Sequence, residues 1–488
     1  MSQNLEKRKT PILYVSHLSK FFSYNLGLRK KGKIRAVDDV SFQIEEGETL
    51  GIVGETGCGK TTLGRTILQL TEASEGDIYF DLPDSEMLKI MNMESELKSL
   101  TESDPEKNLS RIKELKGEIE KFARKHSLTR MTQRQLTKYR AKMQPVFQDP
   151  FSSLDPRKII KDILAEPMHL LTEMSTKEIQ EKTLSLLEEV GLNEEHLYRF
   201  PHEFSGGQRQ RIGIARSISI EPKLLVLDEP TSALDVSVQA QILNTLRRLQ
   251  RERNLTFIFI SHNLSVVRMM SDKVAVMYLG KIAEIAETDA LFTLMLHPYT
   301  KSLLKSIPIP DPKMKRQIKV LEGEIPSPSD PPKGCYFHSR CPEAFEDCGW
   351  SPRDLAEPLS DMLDPFRNPE AGKLPTVLSI VKDEEENQLL INFSDPINEQ
   401  QMNLIKELIK KEASMKNGVK FRAITSVQQT TEPSVLLMKL KAQIEPKLIE
   451  IKKNHFVSCL LYDQGMNAPP GLEKGMETDA LKTETSHN

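Results

Sequence analysis

The sequence predicts an α/β fold built around a buried parallel sheet. Three observations carry that prediction. Gly54-Glu-Thr-Gly57-Cys-Gly59-Lys60-Thr61 lies between the apolar run Leu50-Gly-Ile-Val53 and a stretch with helical spacing. Two further runs, Leu224-Leu-Val-Leu227 and Thr256-Phe-Ile-Phe-Ile260, are apolar without a break, as strands buried on both faces of a sheet must be. The first of them leads directly into Asp228-Glu229, so two carboxylates stand at a strand's carboxyl end, where open α/β sheets bind their ligands.

The elements follow in chain order. Residues 35–80 read as short strands around the glycine-rich turn, and Thr61 to Leu70 as a helix with Leu63, Ile67 and Leu70 on one face. The charged segment 84–138, with Ile112, Leu115, Ile119 and Phe122 at helical spacing, predicts an inserted amphipathic helical hairpin. From 176 to 283 helices alternate with buried strands. Prolines crowd 307–332 and predict an extended connector, and residues 333–349 are rich in cysteine. Leu374 to Phe393 alternates like a hairpin, Glu399 to Glu412 is amphipathic, and Val419 to Thr425 reads as another strand; together they predict a small α+β unit. The polar stretch from about Gly465 is expected to be disordered.

Composition narrows the function classes. The 488 residues carry 67 Lys and Arg against 70 Asp and Glu, a net charge of -3, which supplies no global field for nucleic acid. The longest apolar runs fall well short of the roughly 20 residues that a membrane span needs. Met1 to Thr10 has no apolar core, so no secretory signal is expected and the chain is expected to stay in the cytosol.

Gly54 to Thr61 satisfies the phosphate-loop pattern in its strand–helix setting. Glycines let successive backbone N–H groups converge on phosphate oxygens, Lys60 adds a mobile cation, and the Thr61 hydroxyl can ligate magnesium. A chance glycine turn is the bland alternative, and the carboxylate pair argues against it. Asp228 can hold the magnesium shell and Glu229 can polarise the water that attacks the γ-phosphate.

Phe204-Ser205-Gly206-Gly207-Gln208-Arg209-Gln210-Arg211, followed by an apolar helix, resembles the signature of the ABC ATPase family. The resemblance implies an ABC-type P-loop NTPase domain with a helical signature subdomain. It also implies two such domains sandwiching two ATP molecules, with Ser205, Gly206, Gly207 and Gln208 facing the opposite monomer's nucleotide. Gln148 in Val146-Phe-Gln-Asp-Pro150 is similar to the family's Q-loop, a further magnesium contact; Ser232 to Asp235 is similar to its D-loop, and His262 to its γ-phosphate switch. Gly54, Glu55, Thr56, Gly57, Cys58, Gly59, Lys60, Thr61, Thr62 and Asp235 are then the ATP contacts, Glu229, His262 and Gln148 the catalytic set, and Phe22 or Tyr24 the adenine-stacking aromatic.

The resemblance narrows to the ATPases of oligopeptide and dipeptide importers through Gln148 to Pro156, His297-Pro-Tyr-Thr-Lys-Ser-Leu-Leu304 and Gly334-Cys-Tyr-Phe-His-Ser-Arg-Cys-Pro342. Thr62 to Leu70 is similar to the second of that system's two ATPase subunits. The implied partners are a paralogous ATPase subunit, two membrane permease subunits and an extracytoplasmic binding protein, with no nucleic acid. The implied cargo is peptide, with nickel or oligosaccharide as alternatives, and the implied location is the cytoplasmic face of the membrane. The similarity covers residues 12–83 and 139–349 and departs at 84–138, at Asn263 where Asp is usual, and at 370–445. The expected organisation is an ATPase domain over 1–300, a proline-rich and cysteine-rich extension over 301–369, an inserted α+β unit over 370–445, a return over 446–464 and a tail over 465–488.

Of five cysteines, Cys58 belongs to the phosphate loop. Cys335, Cys341 and Cys348 are closely spaced, and Cys459 resembles the fourth cysteine of the peptide-importer tail, displaced by the inserted unit. Four thiolates suit a [4Fe-4S] cluster or zinc; the spacings match neither common zinc-finger nor ferredoxin patterns, unliganded core thiols are the third reading, and the resemblance points to iron–sulfur. A soluble, non-transport ABC ATPase is the competing function. The single set of motifs and the shortness of 84–138 argue against its two-halved ribosomal and coiled-coil repair forms.

Overall fold

The computed structural model describes residues 10–25, 31–149, 153–232, 234–305, 323–415 and 418–463. The chain divides into two compact units, one running to Ile282 with residues 286–289, the other comprising residues 283–285 and the chain from Ala290.

In the first unit, strands β1 (Pro11–Asn25) and β2 (Lys31–Glu45) pair antiparallel, and β1 also pairs with β4 (Glu75–Phe80). Strands β1 and β2 are each 15 residues long, so β2 exceeds the short strands expected over 35–80, whereas β4, with 6 residues, matches them. The length of β1 and β2 follows from β1's buried apolar positions Leu13, Val15 and Leu18, interrupted by register shifts rather than by turns. Between β2 and β4 in sequence stand β3 (Thr49–Val53) and α1 (Lys60–Ile67), with β3 in a separate parallel sheet. Helix α1 stops three residues short of the expected Leu70. Gln69 turns left-handed (φ 54°) and donates its side-chain amide to the Thr66 carbonyl, so Leu68 is buried and Leu70 is 53% exposed.

Helices α2 (Asp84–Ser103) and α3 (Leu109–His126) pack together, with Ile112 and Leu115 buried. Glu94 of α2 accepts from Tyr14 Oη (2.5 Å) and Ser16 Oγ (2.8 Å), which ties the pair to β1. After α4 (Gln133–Arg140), β5 (Met143–Val146) joins the parallel sheet of β3 as its edge strand. A helical stretch follows: α5 (Ile160–Leu171), α6 (Thr176–Glu189) and α7 (Gly206–Ile218). Ser175–Glu178 and Ser205–Gln208 form reciprocal capping boxes at the starts of α6 and α7. The sheet resumes with β6 (Leu224–Asp228), α8 (Val236–Arg253), β7 (Thr256–Ile260), α9 (Leu264–Met270), β8 (Lys273–Tyr278) and β9 (Lys281–Glu287). Its parallel strands lie in the order β8-β3-β7-β6-β5, and β3, β6 and β7 are buried along their whole length. That placement brings the carboxyl ends of β3, β6 and β7 together.

The chain continues through α10 (Thr288–Thr293) into α11 (Pro298–Lys305). In the second unit, the cysteine-rich loop closes where Cys335 N–H donates to the Cys348 carbonyl (3.0 Å). Gly334 and Gly349 flank that closure, both at positive φ (70° and 103°); a Cβ on Gly334 would meet the Gly349 Cα at 2.6 Å, so only glycine fits. Helix α12 (Pro352–Leu363) follows, then β10 (Val377–Asp383), β11 (Gln388–Phe393), α13 (Glu399–Ser414), β12 (Ile424–Gln429) and β13 (Val435–Leu440). They form an antiparallel sheet in the order β10-β11-β13-β12. Val419–Ala423 is a 3-10 turn rather than the expected strand, with Phe421 N–H donating to the Gly418 carbonyl (3.0 Å), and the strand starts only at Ile424; Phe421 and Ala423 share the core with α13. Helix α12, on the other side of residue 370, packs into this same core through Leu355 and Leu359. The short hairpin β14 (Ile449–Lys452) and β15 (His455–Val457) then pairs with residues 284 and 285. Most of the expected connector over 307–332 and the tail from 465 lie outside the described residues. Among the described residues no helix is long and apolar enough to cross a membrane.

Candidate nucleotide site and buried thiols

The loop between β3 and α1 is shaped by the backbone. Gly59 sits at φ 104°, and a Cβ there would lie 2.0 Å from the Ala36 carbonyl oxygen. The Lys60 ammonium is buried and donates to the Gly54 (2.9 Å) and Glu55 (3.1 Å) carbonyls, with Cys58 Sγ at 3.8 Å. Burial pushes the Cys58 thiol up against the pull of Lys60, so it stays protonated. Thr56 and Gly57 are exposed at the loop's crest and Thr62, the third residue of α1, is half-buried.

Thr61 Oγ1 donates to Asp228 Oδ1 at 2.9 Å, so two hard oxygen donors from the loop and from β6 already stand side by side. Burial raises the Asp228 carboxyl, opposed by the Thr61 hydrogen bond and by the charges of Arg65 and Lys60. Glu229 adopts φ 46°, a left-handed conformation that a non-glycine residue holds only under constraint; its N–H donates to the Ile260 carbonyl (2.9 Å). One oxygen of its carboxylate meets both Gln148 Nε2 (3.1 Å) and His262 Nδ1 (3.2 Å). Three sites separated in sequence thus meet on one carboxylate.

Ser205, Gly206, Gly207, Gln208 and Asp235 form a second group, at the amino termini of α7 and α8. Ser205 and Gln208 satisfy each other's backbone, and Asp235 Oδ1 accepts from Val238 N (2.9 Å). Gly207 lies against Val238, which a Cβ there would meet at 2.3 Å. Phe22 is 41% exposed on β1 with Lys20 Nζ 5.0 Å over its ring, while Tyr24 covers Gly32 of the neighbouring strand.

Sequence reasoning missed the supports of the Gln148 segment. Gln210 Nε2 donates to the Phe147 carbonyl (3.3 Å), Arg216 Nη1 to that of Ser153 (2.8 Å) and Ser217 Oγ to that of Pro145 (2.6 Å), so one face of α7 holds the segment. The only signal is the helical spacing of these three residues, which is silent about their target.

Cys335, Cys348 and Cys459 are buried, Cys341 is half-buried, and all are reduced. Burial drives the Cys335 thiol to about 11 and Cys348 to about 12, and raises Cys341 and Cys459 as well. Cys341 feels Cys335, Cys459 and Cys348, and Cys459 feels Cys335 and Cys348, so the four lie within electrostatic reach of one another. Leu460 packs in one cluster with Phe345 and Cys348. Among the described residues, however, no three His, Cys, Asp or Glu side chains are spaced to hold a metal ion. The expected ligand set is therefore a neighbourhood of thiols, not a closed coordination sphere. Four mutually repelling buried thiolates would need a cationic centre to stay ionised.

A family model described as "ABC transporter" matches residues 37–232, and one described as "Oligopeptide/dipeptide transporter, C-terminal region" matches 283–348. A third, described as "AAA domain, putative AbiEii toxin, Type IV TA system", matches 197–268 and overlaps the first over 197–232. The putative oligopeptide transport ATP-binding protein YkfD of Bacillus subtilis (strain 168) is 45% identical over 353 residues, 72% of this chain and 93% of the relative. The chain belongs to the ABC transporter ATP-binding proteins. Its relatives include the oligopeptide transport ATP-binding protein AppF of B. subtilis (strain 168), 46% identical over 341 residues, 69% of this chain and 91% of AppF. The dipeptide transport ATP-binding protein DppF of Haemophilus influenzae is 43% identical over 346 residues, 71% of this chain and 93% of DppF.

As an ABC ATP-binding protein, the chain is an ATP hydrolase. Its Asn263, one residue past His262, caps α9 by accepting from Ser265 N (3.1 Å) and Val266 N (3.3 Å). An aspartate there would make the same cap, so the departure at this position leaves the turn that carries His262 intact.

Proposed function

We propose that this chain is one of two ATPase subunits of an importer for oligopeptides or dipeptides, bound to the cytoplasmic face of the membrane. The observation that carries this reading is the Glu229 carboxylate held between Gln148 and His262, beside the Thr61–Asp228 pair. Lys60 and the N–H groups of Gly54 to Thr62 receive the phosphates, and Phe22 stacks on adenine. Thr61, Asp228 and Gln148 would hold magnesium, whose charge offsets that of the phosphate oxygens. Glu229 takes the proton of the attacking water, and His262 steadies the γ-phosphate. Ser205, Gly206, Gly207, Gln208 and Asp235 complete the site of a partner ATPase, a paralogue. Two permease subunits and an extracytoplasmic binding protein complete the importer. The names of the relatives and the model matched at 283–348 support peptide cargo over nickel or sugar, and transport over a soluble role. In this reading residues 1–300 are the ATPase domain, with 84–138 and 370–445 as insertions.

Because each site needs the other subunit's Ser205 counterpart, the chain purified alone should hydrolyse ATP slowly. Co-assembly with the paralogue and permeases should raise the rate several-fold and support uptake of a radiolabelled peptide. Equal rates alone and in the complex would argue for a self-sufficient homodimer.

The thiol neighbourhood supports a second assignment, that Cys335, Cys341, Cys348 and Cys459 bind a [4Fe-4S] cluster. Four sulfur donors within electrostatic reach of one another are the donor type such a centre takes, and its charge would compensate theirs. Anaerobically purified protein should be brown, with iron and sulfide in near-equal amounts, and each Cys→Ser change should bleach it. Colourless protein carrying one zinc per chain would replace the cluster with zinc; metal-free protein after anaerobic reconstitution would end the assignment.

A further inference from the structure

Cys459 is separated from the other three thiols by more than a hundred residues of chain, and the strand that delivers it, β15, spans only His455–Val457. Against residues 284 and 285 β15 makes only two ladder pairs, Phe456 with Ile285 and Val457 with Glu284, and its other neighbour is the equally short β14. A slip of one residue turns every side chain to the opposite face, so so short a ladder does not define where Cys459 points. Something else must set the register.

That device is polar and buried. Glu284 has no exposed surface, and its carboxylate accepts from three donors: Leu296 N (2.8 Å), His297 N (2.9 Å) and His455 Nε2 (2.7 Å). A buried carboxylate is tolerated only with such a full set of partners, so displacing any of them is costly. His297 holds the next residues. Its Nδ1 accepts from Tyr299 N (3.0 Å), and burial drives the ring down to about 4, so it is neutral. The proton therefore sits on Nε2, and the ring also makes a hydrogen bond with the Ser458 backbone. Ser458 N–H donates to the Ala283 carbonyl (2.8 Å), and Tyr462 Oη to that of Leu296 (2.9 Å). The tail is thus gripped at 455, 458 and 462, on both sides of the single thiol at 459.

We propose that Glu284 and His297 form a clasp whose role is to position Cys459 among the other three cysteines. The purpose of that placement rests on the thiol-site assignment above; the clasp itself does not. Apolar contacts around Leu296 and Val457 favour a buried side chain at 457, and the directional His455–Glu284 hydrogen bond adds a contact that a slip of one residue would break.

The test uses the full chain, reduced and treated with chelator, pulsed with N-ethylmaleimide under native conditions and read thiol by thiol by mass spectrometry. Glu284→Ala and His455→Leu should each speed alkylation of Cys459 by about tenfold or more through local opening, leaving Cys335 and Cys348 as slow as in wild type. His455→Gln, which keeps a donor at the position of Nε2, should restore protection. Cys459 staying as protected in both disrupting variants as in wild type would overturn the clasp, as would equal exposure of all four thiols. Iron measured on the same preparations before chelation separates the two ideas. Iron-free wild type with Cys459 still dependent on Glu284 would sink the cluster and keep the clasp; full iron in Glu284→Ala with Cys459 protected would sink the clasp and keep the cluster.

Discussion

Glu229→Gln is expected to bind ATP with near wild-type affinity while hydrolysis falls by about a hundred- to ten-thousand-fold, the range a positioned general base supplies. The amide is nearly isosteric and can still face Gln148 Nε2 and His262 Nδ1, which now share one carboxylate oxygen at 3.1 and 3.2 Å. What it loses is the capacity to take a proton. Nothing in the substitution disturbs the phosphate loop or the Thr61–Asp228 pair, so the nucleotide stays in place and the ATP-bound dimer should accumulate. Gel filtration with ATP and magnesium should show the dimer, and a coupled phosphate-release assay should show the missing turnover. Turnover within a few-fold of wild type would remove Glu229 from the role of base.

Lys60→Ala should fail one step earlier. The ammonium is buried against the Gly54 and Glu55 carbonyls, at the crest where phosphates would lie. Removing it deletes a cation of the phosphate loop, a charge-assisted contact of about 1.5–3 kcal/mol, and so weakens ATP binding by roughly ten- to a hundredfold. Calorimetric titration with ATP reads this directly, and an unchanged affinity would show that backbone N–H groups alone hold the phosphates. The two variants differ in kind. Partner subunits should not rescue Glu229→Gln, whereas saturating ATP should partly rescue Lys60→Ala.

The sequence by itself determined the chemistry that is contiguous along the chain. Gly54 to Thr61 and Asp228-Glu229 are legible because a loop's glycines and the strand or helix beside them adjoin in sequence, and because unbroken apolar runs such as Leu224 to Leu227 mark strands buried on both faces. The capping box at Ser205 and Gln208 is readable for the same reason, since its partners sit three residues apart. Local signals misled where two periodicities fit one segment: Val419 to Ala423 alternates like a strand but forms a 3-10 turn, and Leu70 continues a helical spacing that Gln69 ends. Only the tertiary structure decided that Gln148 and His262 share one oxygen of Glu229, that α7 holds the Gln148 segment, and that Glu284 grips the strand bearing Cys459. These contacts join residues brought together by strand order, as in β8-β3-β7-β6-β5, and no local periodicity encodes which strand will lie beside which.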